Sequence, residues 1–152
     1  STRGFIGAGG GRSSPYYQNF IDFVIIATQG DSKDFGDVSV TRKAAGGCSS
    51  STRGIFAGGD TGSRSDVIDF ITMASEGDAT DFGNLSTASQ FVAGTSNTTR
   101  GVFNLGDQSP GLVNNIDFIT ISTTGNATDF GDLTAATRMC APASDSHGGL
   151  TR

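Results

Sequence analysis

IDFITMASEGDATDFG, residues Ile68–Gly83, is one of three versions of the same sixteen-residue sentence. Ile21–Gly36 reads IDFVIIATQGDSKDFG and Ile116–Gly131 reads IDFITISTTGNATDFG. The Asp of each IDF precedes the Asp of its DFG by twelve residues in all three copies. Outside this span the spacing loosens: from the Arg of TRG (Arg3, Arg53, Arg100) to the Asp of IDF the interval varies between sixteen and nineteen. A fixed span between variable ones reads as a β-hairpin flanked by tolerant surface loops. Self-similarity at a fixed period marks a repeat architecture, and the units fall at residues 1–51, 52–98 and 99–152.

Each unit reads as four short strands. The first follows TRG (Phe5–Ala8, Ile55–Ala57, Val102–Asn104) and stops at glycine, at Gly9-Gly10, Gly58-Gly59 and Gly106. The second, Phe20–Thr28, Val67–Ser75 and Asn115–Thr123, is apolar on both faces, as an interior strand is. Gly30-Asp31, Gly77-Asp78 and Gly125-Asn126 then suit a tight hairpin turn. A third strand carries Phe35, Phe82 and Phe130. A weaker fourth is expected near Arg42–Cys48, Gln90–Thr95 and Arg138–Ala141. No segment has a 3.6-residue apolar period, so the fold class is all-β with almost no helix.

Composition agrees. With 23 Gly, 18 Ser and 18 Thr in 152 residues and only 16% charged residues, the chain suits dense turns and strands. Eleven Phe supply a core and argue against disorder. The net charge of −5, with no basic run, gives nucleic acid no cationic surface. No apolar stretch nears the ~20 residues that span a bilayer, so a soluble chain without membrane insertion is expected. Cys48 and Cys140 occupy similar places in their units, where the middle unit has Thr95; small buried side chains are expected there, with one long-range disulfide as the alternative.

The order Gly58-Gly59, Asp69, Phe82 within a four-stranded unit resembles the kelch repeat of β-propellers. The kelch outer Trp is replaced by Phe35, Phe82 and Phe130, and the third unit has Asn104-Leu105-Gly106 in place of Gly-Gly. Asn114–Leu133 (NNIDFITISTTGNATDFGDL) and Cys48–Gly59 (CSSSTRGIFAGG) are also similar to repeat arrays in tail or fibre proteins of marine tailed phages. These resemblances imply propeller blades and a virion or extracellular surface location. Propellers typically close with four to eight blades, so three units leave three solutions: a six-bladed ring of two chains, part of a longer array, or a threefold β-trefoil or β-prism.

The recurring polar residues read as scaffold. Asp34, Asp81 and Asp129, with their neighbours Asp31, Asp37, Asp78, Asn84, Asn126 and Asp132, are expected to bond turn amides and keep a sheet edge polar. Ca2+ at these turns is the weaker alternative, because the spacing is not that of a calcium loop and no bidentate Glu is present; no cofactor or metal is expected. DFG is also a kinase tripeptide, but a Gly-rich phosphate loop and a catalytic HRD are missing. Asp22, Asp69 and Asp117 sit inside apolar strands where an unpaired carboxylate is costly, and Arg3, Arg53 and Arg100 are their expected partners. One specialised acid–base pair would not be written three times. His147, in SDSHGGL, reads as a loop residue. Asn84, Asn97 and Asn126 match the glycosylation sequon, which matters only in a eukaryotic secretory host. Tyr16 and Tyr17, the only tyrosines, lie in a variable loop and are the candidate ligand contacts.

The functional expectation is a non-enzymatic structural or adhesive module with no catalytic residues, whose partners are other copies or other structural subunits. A lectin with one shallow site per repeat, binding surface glycans, is the alternative.

Overall fold

In a computed structural model, residues 3–12 and 16–146 are described. Among them are eleven β-strands and no helix. In chain order they are β1 Arg3–Gly10, β2 Tyr17–Ile25, β3 Lys33–Arg42, β4 Gly46–Ser49, β5 Arg53–Ala57 and β6 Ser65–Thr72. There follow β7 Thr80–Ser89, β8 Ala93–Ser96, β9 Arg100–Asn104, β10 Asn115–Thr120 and β11 Thr128–Asp132.

Three antiparallel sheets result: β1-β2-β3, β4-β5-β6-β7 and β8-β9-β10-β11. The expected interior strands are interior, since β2, β6 and β10 each have a neighbour on both sides. The fourth-type segment, however, does not close the sheet of its own unit. β4 pairs with β5, and β8 with β9, so each opens the next sheet. Among the described residues no strand forms at Arg138–Ala141. A short edge segment becomes a strand only beside a partner, and among the described residues no first-type strand pairs with it. Ala44, Phe91 and Met139 share a positive φ of 56–59° at the bend entering this segment, each ten residues after the Asp of DFG. That bend aligns Ala141–Ser144 with β4 and β8, and Cys140 with Val92 rather than with Cys48.

The hairpin turn also differs from the expected one. Each β2–β3-type connection is seven residues long, and its tight turn lies early: Thr28 N–H donates to Ile25 O, Ser75 N–H to Thr72 O and Thr123 N–H to Thr120 O, at 3.1–3.2 Å. Turning there frees the Gly-Asp pair that follows to reach a neighbouring sheet. The returning strand carries a β-bulge at one place in each copy. Ile68 faces Gly83 while Asp69 faces Asp81, leaving Phe82 as the extra residue, and Phe35 and Phe130 repeat the pattern.

Two apolar clusters hold the sheets together. Ile21, Phe23, Phe35 and Val38 of the first sheet meet Phe56 and Ile71 of the second. Ile55, Ile68, Phe82 and Leu85 of the second meet Phe103 and Ile119 of the third. The edge strands β4 and β8 lie side by side: Ser96 Oγ donates to Ser49 O at 2.6 Å, and a Cβ on Gly94 would come 2.5 Å from Gly47 O. Asp107 gathers Arg64 (2.9 Å), Gln90 (3.2 Å) and Arg138 (3.4 Å), and its hydrogen bond from Arg64 holds its carboxyl below the usual range against the opposing effect of burial.

Cys48 and Cys140 are both free thiols. Cys48 is packed against Gly101 in the core between the second and third sheets, and burial pushes its thiol up to about 12. At pH 8 a disulfide-exchange reagent is expected to modify Cys48 about a thousandfold more slowly in the folded chain than in the denatured one, because the thiolate is the reactive form. Timed labelling with mass readout checks this; equal rates would contradict the packing.

Candidate functional site

The acidic turns face the preceding sheet. Gly77 N–H donates to Phe35 O, and Ala79 N–H to Asp37 O, both at 2.8 Å. Asp78 Oδ1 accepts Asp37 N–H at 3.0 Å. One sheet further on, Gly125 donates to Phe82 O, Ala127 to Asn84 O, and Asn126 Oδ1 accepts Asn84 N–H at 3.0 Å. The groups served belong to the open edges of β3 and β7, which the neighbouring turn thereby covers. Gly36 and Gly83, at φ +148° and +147°, make the approach feasible: a Cβ there would lie 2.4–2.5 Å from the carbonyl of Gly77 or Gly125. The bulge at the DFG Phe aims the backbone outward, and the glycine beside it lets the next turn seat.

Asp34, Asp81 and Asp129 are exposed on β3, β7 and β11. No group of three or more His, Cys, Asp or Glu side chains suited to a metal comes together among the described residues. Asp31 and Asp78 sit at equivalent places, and Asp78 is engaged by a backbone N–H.

The expected Asp–Arg pairs of TRG and IDF do not form in the second and third sheets. Asp69 is fully buried and pairs with Arg42 of β3, Nη2 to Oδ2 at 2.7 Å, and also receives the Ser39 N–H and hydroxyl. Arg42 is equally buried; it donates to the Val67 and Phe56 carbonyls, while its Nε has no hydrogen-bond partner among the described residues. Burial pulls the Arg42 guanidinium below the usual arginine range, and Asp69 pulls the other way. Asp117, also buried, receives the Ser86 N–H and hydroxyl at 2.7 and 2.8 Å. Ser89 occupies the place of Arg42 there, so this carboxylate is held by neutral donors. In both cases the donors come from the preceding sheet. Asp22, half-buried, accepts from Ser32 of its own sheet.

The TRG arginines lie on the phenylalanines of IDF instead. Arg53 stacks on Phe70 at 4.3 Å, Arg100 on Phe118 at 4.9 Å and Arg3 on Phe23 at 5.3 Å. Arg53 Nη1 then donates to Ile121 O at 2.9 Å, and Arg3 Nη2 donates to Met73 O. Strand pairing explains the choice: Arg53 faces Thr72, three positions from Asp69, so the guanidinium reaches past Phe70 toward the adjoining sheet. Arg3 and Arg53 thus bridge adjoining sheets, through a backbone carbonyl rather than the expected Asp. Arg42 and the Ser39/Ser86 pair were missed. The serines recur five residues after each DFG Asp and were open to detection, whereas Arg42 occurs once and has no period to reveal it.

Other candidates are shallow. Tyr16 is exposed, and Tyr17 is half-buried under the Lys43 ammonium, 4.9 Å from the ring centroid. His147 lies outside the described residues. Asn84, Asn97 and Asn126 are exposed, with Asn97 Oδ1 accepting the Thr99 and Arg100 N–H groups. A cleft of about 300 Å³ opens between the β4–β5 and β8–β9 loops, lined by Arg3, Ser49, Met73, Ser96, Asn97 and Thr98 among others. One recess follows each IDF strand: Phe23, Thr28 and Asp31; Phe70, Ser75 and Asp78; Phe118, Thr123 and Asn126. Each has a phenyl floor and a hydroxyl and amide or carboxylate rim, in volumes of about 180–310 Å³. No protein-family model matches the chain, and no curated protein matches it.

Proposed function

We propose that the chain is a non-enzymatic structural or attachment module, a rigid stack of kelch-like blades on a virion or other extracellular surface. One observation carries the reading: the recurring polar residues are used at junctions between sheets rather than gathered in one place. Asp69, Asp117, Asp78, Arg3 and Arg53 each bond across to an adjoining sheet. The blade reading is supported by the meander order of the four-stranded sheets and by the adjacent edge strands β4 and β8. A closed threefold body would join the first sheet to the third, and among the described residues the apolar clusters join only neighbours. The surface context rests on the resemblance of Asn114–Leu133 and Cys48–Gly59 to tail-fibre arrays.

Limited trypsin digestion tests the stack. Cleavage is expected at Arg12 and Arg138, outside the strands, with a fragment spanning the three sheets surviving. Early cleavage at Arg53 and Arg100 would mean sheets that open separately and would overturn the reading.

The three equivalent recesses support a second reading, a lectin with one shallow glycan contact per repeat. Binding on a glycan array that is lost when Thr28→Val, Ser75→Ala and Thr123→Val are combined, but kept in Tyr16→Ala, favours it; silence across the array counts against it.

A further inference from the structure

The two outer sheets carry the unmatched halves of the junction that the chain forms twice internally. On the third sheet, Phe130 is 52% exposed, whereas its counterparts Phe35 and Phe82 are 3% and 2% exposed. Gly131 has φ +137° like Gly36 and Gly83, yet a Cβ there would meet nothing within 4 Å. Among the described residues no turn from an adjoining sheet donates a backbone N–H to Phe130 O as Gly77 and Gly125 do to Phe35 O and Phe82 O, and Arg100 keeps its stack on Phe118 without the carbonyl acceptor that Arg53 has. Thr134 holds the place of Ser39 and Ser86, is exposed, and among the described residues has no Asp hydrogen-bonded to it as theirs have.

The first sheet is the complement. Ile6 and Ile26 are 56% and 72% exposed, while their counterparts Phe56 and Phe103, and Ile121, are buried. The Gly30-Asp31-Ser32 turn, equivalent to Gly77–Ala79 and Gly125–Ala127, is exposed. Among the described residues β1 is an edge strand of a three-stranded sheet, whereas β5 and β9 each have a fourth-type strand alongside. Ala141–Ser144, the segment aligned with β4 and β8, is exposed and in no strand.

We propose that the third sheet binds the first sheet of a second copy of this chain, head to tail, by repeating the internal junction. The inference rests on the stacked-sheet reading above and on the continuity of this surface with two formed interfaces. Gly30 N–H and Ser32 N–H of the second copy donate to Phe130 O and Asp132 O, and its Asp31 accepts Asp132 N–H. Arg100 donates to its Ile26 carbonyl, and Thr134 caps its Asp22. Ala141–Ser144 adds to β1 as the missing strand, an instance of strand addition to an open sheet edge. Such a contact is heterologous, so it either closes into a ring or continues as a filament.

Sedimentation of the full 152-residue chain tests this. The wild-type chain is expected to associate as concentration rises. Gly131→Ala, which fills the seat of the incoming turn, and Phe130→Glu on the same face are each expected to stay monomeric. Ile26→Asp, on the opposite face, should do the same. An equal mixture of Gly131→Ala and Ile26→Asp retains one intact face of each kind and should give a dimer and nothing larger. A wild-type chain that is still monomeric at about 1 mM, variants that associate like wild type, or a mixture that fails to pair would each overturn the proposal. Trypsin resistance of the monomeric variants separates the two ideas: a resistant chain that never associates overturns only the head-to-tail contact, and rapid cleavage between sheets overturns the stack itself.

Discussion

Arg42→Met is expected to destabilise the chain by about 3–5 kcal/mol, the cost of leaving one partner of a buried ion pair charged and alone. Asp69 has no water to turn to, since both side chains are fully buried. The Ser39 N–H and hydroxyl remain, but neither carries charge. The Phe56 and Val67 carbonyls lose a donor as well. Denaturant unfolding of Arg42→Met, Asp69→Leu and the double variant forms a cycle. The double variant should regain much of the loss, because replacing a whole buried pair by apolar residues is often close to neutral. A single Arg42→Met variant within 1 kcal/mol of wild type, roughly the size of an exposed pair, would refute the assignment.

Gly83→Ala carries the second large effect. Its φ of +147° is strained for any L side chain, and the new methyl would press on the Gly125 carbonyl, 2.4 Å from the built Cβ. Backbone strain of ~1–3 kcal/mol and overpacking of ~1–3 kcal/mol together give a loss of about 2–6 kcal/mol. In thermal unfolding that is a fall of roughly 10 °C for a chain of this length. Gly131→Ala is the built-in control: the same backbone conformation with open space beyond it should cost only the strain, ~1–3 kcal/mol. Equal losses at the two positions would show that the turn of the third sheet does not press on β7.

Much of this was legible because it repeats. The twelve-residue interval from IDF to DFG located the hairpins, and the apolar runs on both faces located the interior strands. What remained hidden depended on distance in space. A tight turn at Gly77-Asp78 was the reading favoured by local chemistry, but the chain turns at Thr72–Ser75 and sends the Gly-Asp pair to another sheet. Periodicity points Asp69 to the TRG arginines, whereas its partner in the structure is Arg42, which has no period. Sheet membership of β4 and β8 was equally invisible, since a four-residue strand carries no signal of which neighbour it will join.

The bulge that turns the DFG phenylalanine out of register has an evolutionary corollary. Each junction is specified by short motifs at constant spacing, and the interval between TRG and IDF absorbs the differences in length. A gene encoding such a chain can therefore gain or lose a whole copy by recombination, and the new neighbours would meet through parts they already possess. Copy number becomes a variable that selection can adjust while the recurring turn and serine contacts are kept.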